Sequence, residues 1–250
     1  MLDRYTLFLI RFRSYVSAND QFPVVNTNND GFLTNIHIQN EGSQDTEVTL
    51  SYTPAVVNGK TLGAECTETQ VIPAKQSSIF AKDSFGVDTG SLDIASDCIR
   101  GMLFVGSASV THNSTNQLLA GVGIQLKPGG SGGAYEGFSP TQATDSVMMP
   151  SIMDRNGSFY TGFSIAHAGG PGSTINCTFS DHSRTFSGQL AEGGVLIDVQ
   201  KNQLENLYVG NAICRASDPS TKIVAVVNQI ADGSTTDEFF VYEAENTLSA

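Results

Sequence analysis

Gly129-Gly130-Ser131-Gly132-Gly133 has the G-x-S-x-G spacing that, at a strained strand-to-helix elbow, raises a serine as a nucleophile. The flanking residues supply strands and no helix, so the setting is missing and the stretch reads as a flexible turn. A hydrolytic serine also needs a base, and His37, His112, His167 and His182 show no pairing at catalytic or metal-ligand spacing. They read as surface or turn residues. Asn26-Thr27-Asn28-Asn29-Asp30-Gly31 follows the opening of a calcium loop, but its first position is Asn and its twelfth is His37 where a bidentate Glu belongs. Met153-Asp154-Arg155-Asn156-Gly157-Ser158 repeats the pattern with Arg155 in a ligand's place, so both read as hairpin turns. Asp237 with Glu238, and Glu243 with Glu245, flank apolar residues and read as solvated strand faces or charged edge protection. The sequons at Asn113, Asn156 and Asn176 carry meaning only if the source glycosylates such sites. No catalytic, cofactor or metal residue is assigned, and the chain is expected not to be an enzyme.

The remaining reactive groups are Cys66, Cys98, Cys177 and Cys214. They contain no C-x-x-C element, which argues against zinc, and an even count in a Gly- and strand-rich chain favours two disulfides in an oxidising compartment. Three pairings exist on paper. An internal repeat discriminates among them. Residues 22–52 and 149–179 align without a gap at an offset of 127, with six identities from Pro23/Pro150 to Gly42/Gly169. Phe104-Val105-Gly106-Ser107-Ala108 likewise returns as Tyr208-Val209-Gly210-Asn211-Ala212. Cys177 then falls on Leu50 and Cys214 on Val110, a substitution that is natural if the two positions face each other across a core. The expected bonds are Cys66–Cys98 and Cys177–Cys214, 32 and 37 residues apart.

These residues have to be positioned by strands. The chain has 25 glycines and 15% charged residues, with little helical periodicity. Its apolar residues alternate with polar ones, as in half-buried strands. Strands are expected near 22–26, 32–40, 46–53, 67–72, 76–82, 102–112, 118–127 and 133–138, then near 147–153, 158–167, 174–180, 183–189, 194–200, 207–216, 222–231 and 237–243. The connection 83–101 is long for a bare loop and admits a helical turn. The expected organisation is an N-terminal segment 1–20, a β-sandwich 21–140, a linker 141–145 and a second β-sandwich 146–250. Residues 1–20 have two readings: a last strand of a preceding repeat over 5–16, or a degenerate signal segment whose apolar run Leu7–Ile10 is cut by Arg11 and Arg13. Neither is a transmembrane helix. A net charge of -12 with 13 Lys and Arg argues against nucleic acid and suits a soluble β-rich surface.

The Pro-headed first strands Phe22-Pro23-Val24-Val25 and Met149-Pro150-Ser151-Ile152, the strand ending Asn40-Glu41-Gly42, and Cys66-Thr67-Glu68-Thr69 resemble the tandem immunoglobulin-like repeats of bacterial secreted and cell-surface proteins. So do the Val-Gly strand, Val226-Val227-Asn228-Gln229 and the closing Tyr-Glu strands at Tyr135 and Tyr242. The resemblance covers roughly residues 21–246 and implies an extracellular structural or adhesive module, with self-assembly, other surface proteins or glycans as partners. The alternatives are a carbohydrate- or ligand-binding module of a secreted hydrolase, with Tyr135, Tyr160 or Tyr242 as the aromatic platform in a chain without Trp, or a viral or filament shell protein.

Overall fold

The computed structural model describes residues 20–29, 31–81, 103–114, 118–127, 131–181, 184–231 and 239–247. Outside them lie the segment 1–19, the whole connection 83–101 with the helical turn expected there and with Cys98, and His182, Asp237 and Glu238. The described residues form strands and turns, all pairings being antiparallel.

The first half builds β1 (Gln21–Thr27), β2 (Leu33–Asn40), β3 (Thr46–Pro54), β4 (Val56–Val57), β5 (Lys60–Thr61), β6 (Cys66–Ile72), β7 (Ser77–Phe80), β8 (Phe104–His112), β9 (Leu119–Leu126) and β10 (Gly132–Glu136). The second half builds β11 (Ser146–Asp154), β12 (Phe159–Gly169), β13 (Ser173–Phe179), β14 (Thr185–Leu190), β15 (Val195–Val199), β16 (Tyr208–Ala216), β17 (Lys222–Ala231), β18 (Phe239–Glu243) and β19 (Glu245–Thr247). Sheets β1-β8-β3-β6 and β10-β9-β2-β7 make one sandwich-like body, and β14-β13-β16-β11-β19 and β15-β12-β17-β18 make another. Leaving out β19, the two bodies have the same strand order. The small hairpin β4–β5 has no counterpart; it turns on Asn58 and Gly59, both at positive φ (51° and 74°), the geometry a two-residue hairpin requires.

Local irregularities recur at matching places. The β1–β8 register slips between Phe22 and Val25, and the β11–β16 register slips between Met149 and Ile152. Each slip contains a proline, Pro23 or Pro150, because a residue with no N–H to give fits a strand where the ladder is interrupted. The carbonyl one residue further on accepts a tyrosine hydroxyl: Tyr135 donates to Val24 and Tyr242 to Ser151. The closing Tyr-Glu strands therefore pin the bulges. Neither ring is an open platform for a sugar, a correction to the reading of Tyr135 and Tyr242. Tyr135 is 2% exposed, and burial pushes both phenols well above their ordinary range despite these bonds. Gly106 and Gly210 share a requirement for no side chain: a Cβ would stand 2.2 Å from the Thr53 carbonyl oxygen in one case and 2.3 Å from the Tyr208 hydroxyl in the other.

The two bodies do not keep separate cores. In β12 every residue from Thr161 to Ala168 is buried, and in β17 every residue from Ile223 to Val227. Phe163, Ile165, Ile223, Ala225 and Val227 join the core of the second body, while the intervening Ala166, Ala168, Val224 and Val226 join that of the first. Alternation sends successive side chains to opposite faces, so one sheet serves two cores. Strand β1 lies against β12 and β17, and β10 against β18. A Cβ on Gly133 would come within 2.4 Å of Val241, so that glycine sets the closeness of the second contact.

Candidate functional site

Cys177 and Cys214 are joined by a disulfide and stand directly opposite one another on β13 and β16. The sequence reading had them facing each other across a core; instead they are neighbours within one sheet, with both sulfurs on its buried face. Leu50 and Val110 hold the same cross-strand relation on β3 and β8. Such a bond belongs to an oxidising environment. Cys66 begins β6, packed against the first core, and its expected partner Cys98 lies outside the described residues.

Gly132 and Gly133 are strand residues of β10, a correction to the reading of the whole stretch as a turn, while Gly129 and Gly130 lie outside the described residues. His167 is not a surface histidine: it is 7% exposed. Its Nδ1 accepts the Gly193 N–H at 3.2 Å, so the ring proton sits on Nε2, 2.9 Å from the Gly170 carbonyl. The imidazole ties two turns together. Half-buried His37 has its pKa lowered by desolvation. Glu243 is an exposed strand residue, as read, and its Oε1 also accepts the Glu136 N–H at 2.6 Å, joining β18 to β10 across the bodies. Desolvation of its carboxyl group holds its pKa above the ordinary carboxylate value, and the Glu136 carboxylate adds to that. Among the described residues no group of three or more His, Cys, Asp and Glu is placed to hold a metal.

The second Asn/Asp turn carries a carboxylate with a structural task. Asp154, with no exposed surface, accepts the N–H groups of Asn202, Gln203 and Leu204 at 3.0, 2.9 and 2.8 Å, and Arg155 lies beside it at 3.2 Å. Burial alone would raise its pKa, but those amides and the guanidinium outweigh burial and lower it. Its stabilising effect is therefore full above the unfolded value near 3.8 and is lost as pH falls through the lower folded value. Asp154→Ala is expected to cost about 2–3 kcal/mol at neutral pH. Urea titrations at pH 7 and in acid check it: the variant should lose part of the wild-type acid sensitivity, and equal midpoints at pH 7 would contradict the role.

The first Asn/Asp turn leads to a cleft. Asn28 and Gly31 adopt positive φ (49° and 80°), and Asn29 bridges Phe32, closing the tight turn by which the chain passes from β1 in one sheet to β2 in the other. The end of β1 and this turn carry Asn26 and Asn29 to the lining of a cleft of about 350 Å³ between the two bodies. The opposite wall is the face of β12 and β17 that points to the first body, at the end where its alanines and valines give way to Tyr160, Gly162, Ser164 and Asn228. On the first body's side, fully buried Gln125 of β9 receives Asn26 Nδ2 at 3.3 Å and exchanges two hydrogen bonds with Asn228, at 3.0 and 3.1 Å. Asn29 Nδ2 donates to Asn26 Oδ1 at 3.3 Å. A chain of four carboxamides thus runs from one body to the other.

No family model and no curated protein matches the chain. Among solved structures, a red sea bream transglutaminase is similar over 94% of this chain and 32% of its own, at 10% identity and a TM-score of 0.18. The chain spans about a third of that protein's length, and a likeness this loose carries no argument about residues. The site rests on its own geometry.

Sequence reasoning named Tyr160 as a possible aromatic platform for a sugar and Asn26 and Asn29 as parts of a turn, and did not connect them. Gln125, Ser164 and Asn228 were not singled out as site residues. Their one signal is polarity inside otherwise apolar strands, visible at Asn228 after the run Ile223–Val227.

Proposed function

We propose that this chain is a non-enzymatic, extracellular structural or adhesive element made of two immunoglobulin-like sandwiches that arose by duplication, divided near residues 140–147. The matched strand orders, the two proline bulges with their tyrosine bonds and the equivalent Leu50/Val110 and Cys177/Cys214 pairs support the duplication. The observation that carries the functional reading is the sheet β15-β12-β17-β18, buried against both cores. Two domains on a free linker bend relative to one another, whereas two that share a buried sheet form a stiff unit suited to bearing load or spacing. The disulfide supports the oxidising, extracellular placement. No helix among the described residues is long and apolar enough to cross a membrane.

Force spectroscopy on the whole chain, paired with adhesion of protein-coated beads to immobilised glycans and matrix proteins, tests this reading. The expected trace has both bodies yielding in one event, and the beads adhere to a surface or to each other. Two separate weak events together with inert beads would overturn it.

A further inference from the structure

We propose that the cleft between the bodies is a binding site for a neutral polyhydroxylated ligand, a short saccharide. The proposal deepens the adhesive reading and rests on it.

The cleft's size lies within the range of small-molecule sites, and it opens at a junction between two bodies, a favoured place for them. Its chemistry narrows the class. Among the described lining residues Lys127 is the sole charged side chain, lying over the Phe32 ring, with Lys201 over the Tyr160 ring beside them, so the lining presents no carboxylate to a cation and the phosphate competition below tests whether these two ammonium groups select an anion instead. What it does present is neutral hydrogen-bonding capacity. A carboxamide has two donor hydrogens and an acceptor oxygen, and a sugar hydroxyl is likewise donor and acceptor at once. Asn26, Asn29 and Asn228 are held in place by one another and by Gln125, which leaves further donor and acceptor capacity on each amide for a guest. Groups oriented before binding lose little freedom when a ligand arrives.

The other half of saccharide recognition is an apolar surface for ring C–H groups. Phe32 from the turn between β1 and β2 and Tyr160 from β12 line the same cleft, with Val199 and Ile230 beside them. Small residues keep the floor open. A Cβ built on Gly162 meets nothing closer than the Val199 methyl, at 3.4 Å, so the strand tolerates a side chain there while the cleft would lose room. Gly162→Val therefore blocks the site without removing a hydrogen-bond partner.

The test is a glycan array probed with the full chain, followed by calorimetry with the best-bound oligosaccharide and with inorganic phosphate as a competitor. At least one saccharide should bind, phosphate should not displace it, and Gly162→Val and Tyr160→Ala should each weaken binding at least tenfold with the unfolding midpoint unchanged. Asn228→Ala, scored by the same titration, serves if Gly162→Val fails to fold. An array with no bound glycan, binding that survives both cleft variants, or displacement by phosphate acting at Lys127 would overturn the proposal. A stiff chain that adheres to a protein surface and to no glycan would remove the cleft assignment and leave the structural reading standing.

Discussion

Val226→Asp is expected to unfold both bodies together, although residue 226 belongs to the second half of the chain. Val226 is fully buried on the face of β17 that joins the first core, in line with Val224 and opposite Ser164 of β12. A carboxylate there is buried with no cation facing it in the ladder, its neighbours being Ser164 of β12 and Glu243 of β18. Burying an unpaired charge costs about 4 kcal/mol or more, a large share of a net stability of about 5–15 kcal/mol. Because the first core is completed by this sheet, the loss spreads to β1 and beyond. Urea denaturation followed by tyrosine fluorescence gives the midpoint, and hydrogen exchange locates the loss. Exchange that accelerates in residues 146–247 while β3 and β8 stay protected would show the bodies to be energetically independent.

The second large effect concerns the cross-strand bond. Removing it with Cys177→Ala and Cys214→Ala is expected to cost about 4 kcal/mol, the chain-entropy value for a loop of 37 residues. In a chain of this size that lowers Tm by roughly 10 °C. Cys177→Leu with Cys214→Val would copy the Leu50/Val110 pair and should regain the packing part of the loss, but not the part due to the cross-link. Thermal melts of oxidised and reduced wild type beside both variants separate the two contributions. Equal melting of oxidised wild type and the double-alanine variant would remove the bond from the account of stability. Peptide mapping under non-reducing conditions tests the expected Cys66–Cys98 link in the same preparations, and a bond from Cys66 to the second half would overturn that pairing.

The strands were largely legible because most have one wet face, and alternation such as Val48, Leu50 and Tyr52 on β3 is then visible residue by residue. The shared sheet was harder to read. Ile223 to Val227 is continuously apolar, which does mark burial on two sides, yet nothing local says that the second side belongs to another body. The β4–β5 hairpin was missed although Asn58-Gly59 is a strong turn signal, because strands of two residues carry no periodicity. The disulfide illustrates a different limit. Alternation puts both sulfurs on an inner face, but whether two inner-facing residues meet across a core or along a sheet depends on strand neighbours, which a single sequence does not display. The cleft was least legible, since Asn26, Gln125 and Asn228 lie about a hundred residues apart in turn and form no motif.

The shared sheet also bears on how the protein is made. Synthesis runs from the N-terminus, so β1 through β10 leave the ribosome well before β12 and β17 exist. Until then the flank of the first body that later receives Ala166, Ala168, Val224 and Val226 has no cover. The earlier-made half is thus the later to be finished, and for the time it takes to translate another hundred residues or so it presents a sticky, half-closed surface to its surroundings. A chain with this order of completion profits from a chaperone or from slow export in an unfolded state, and truncation after β10 should yield aggregate rather than a smaller soluble domain.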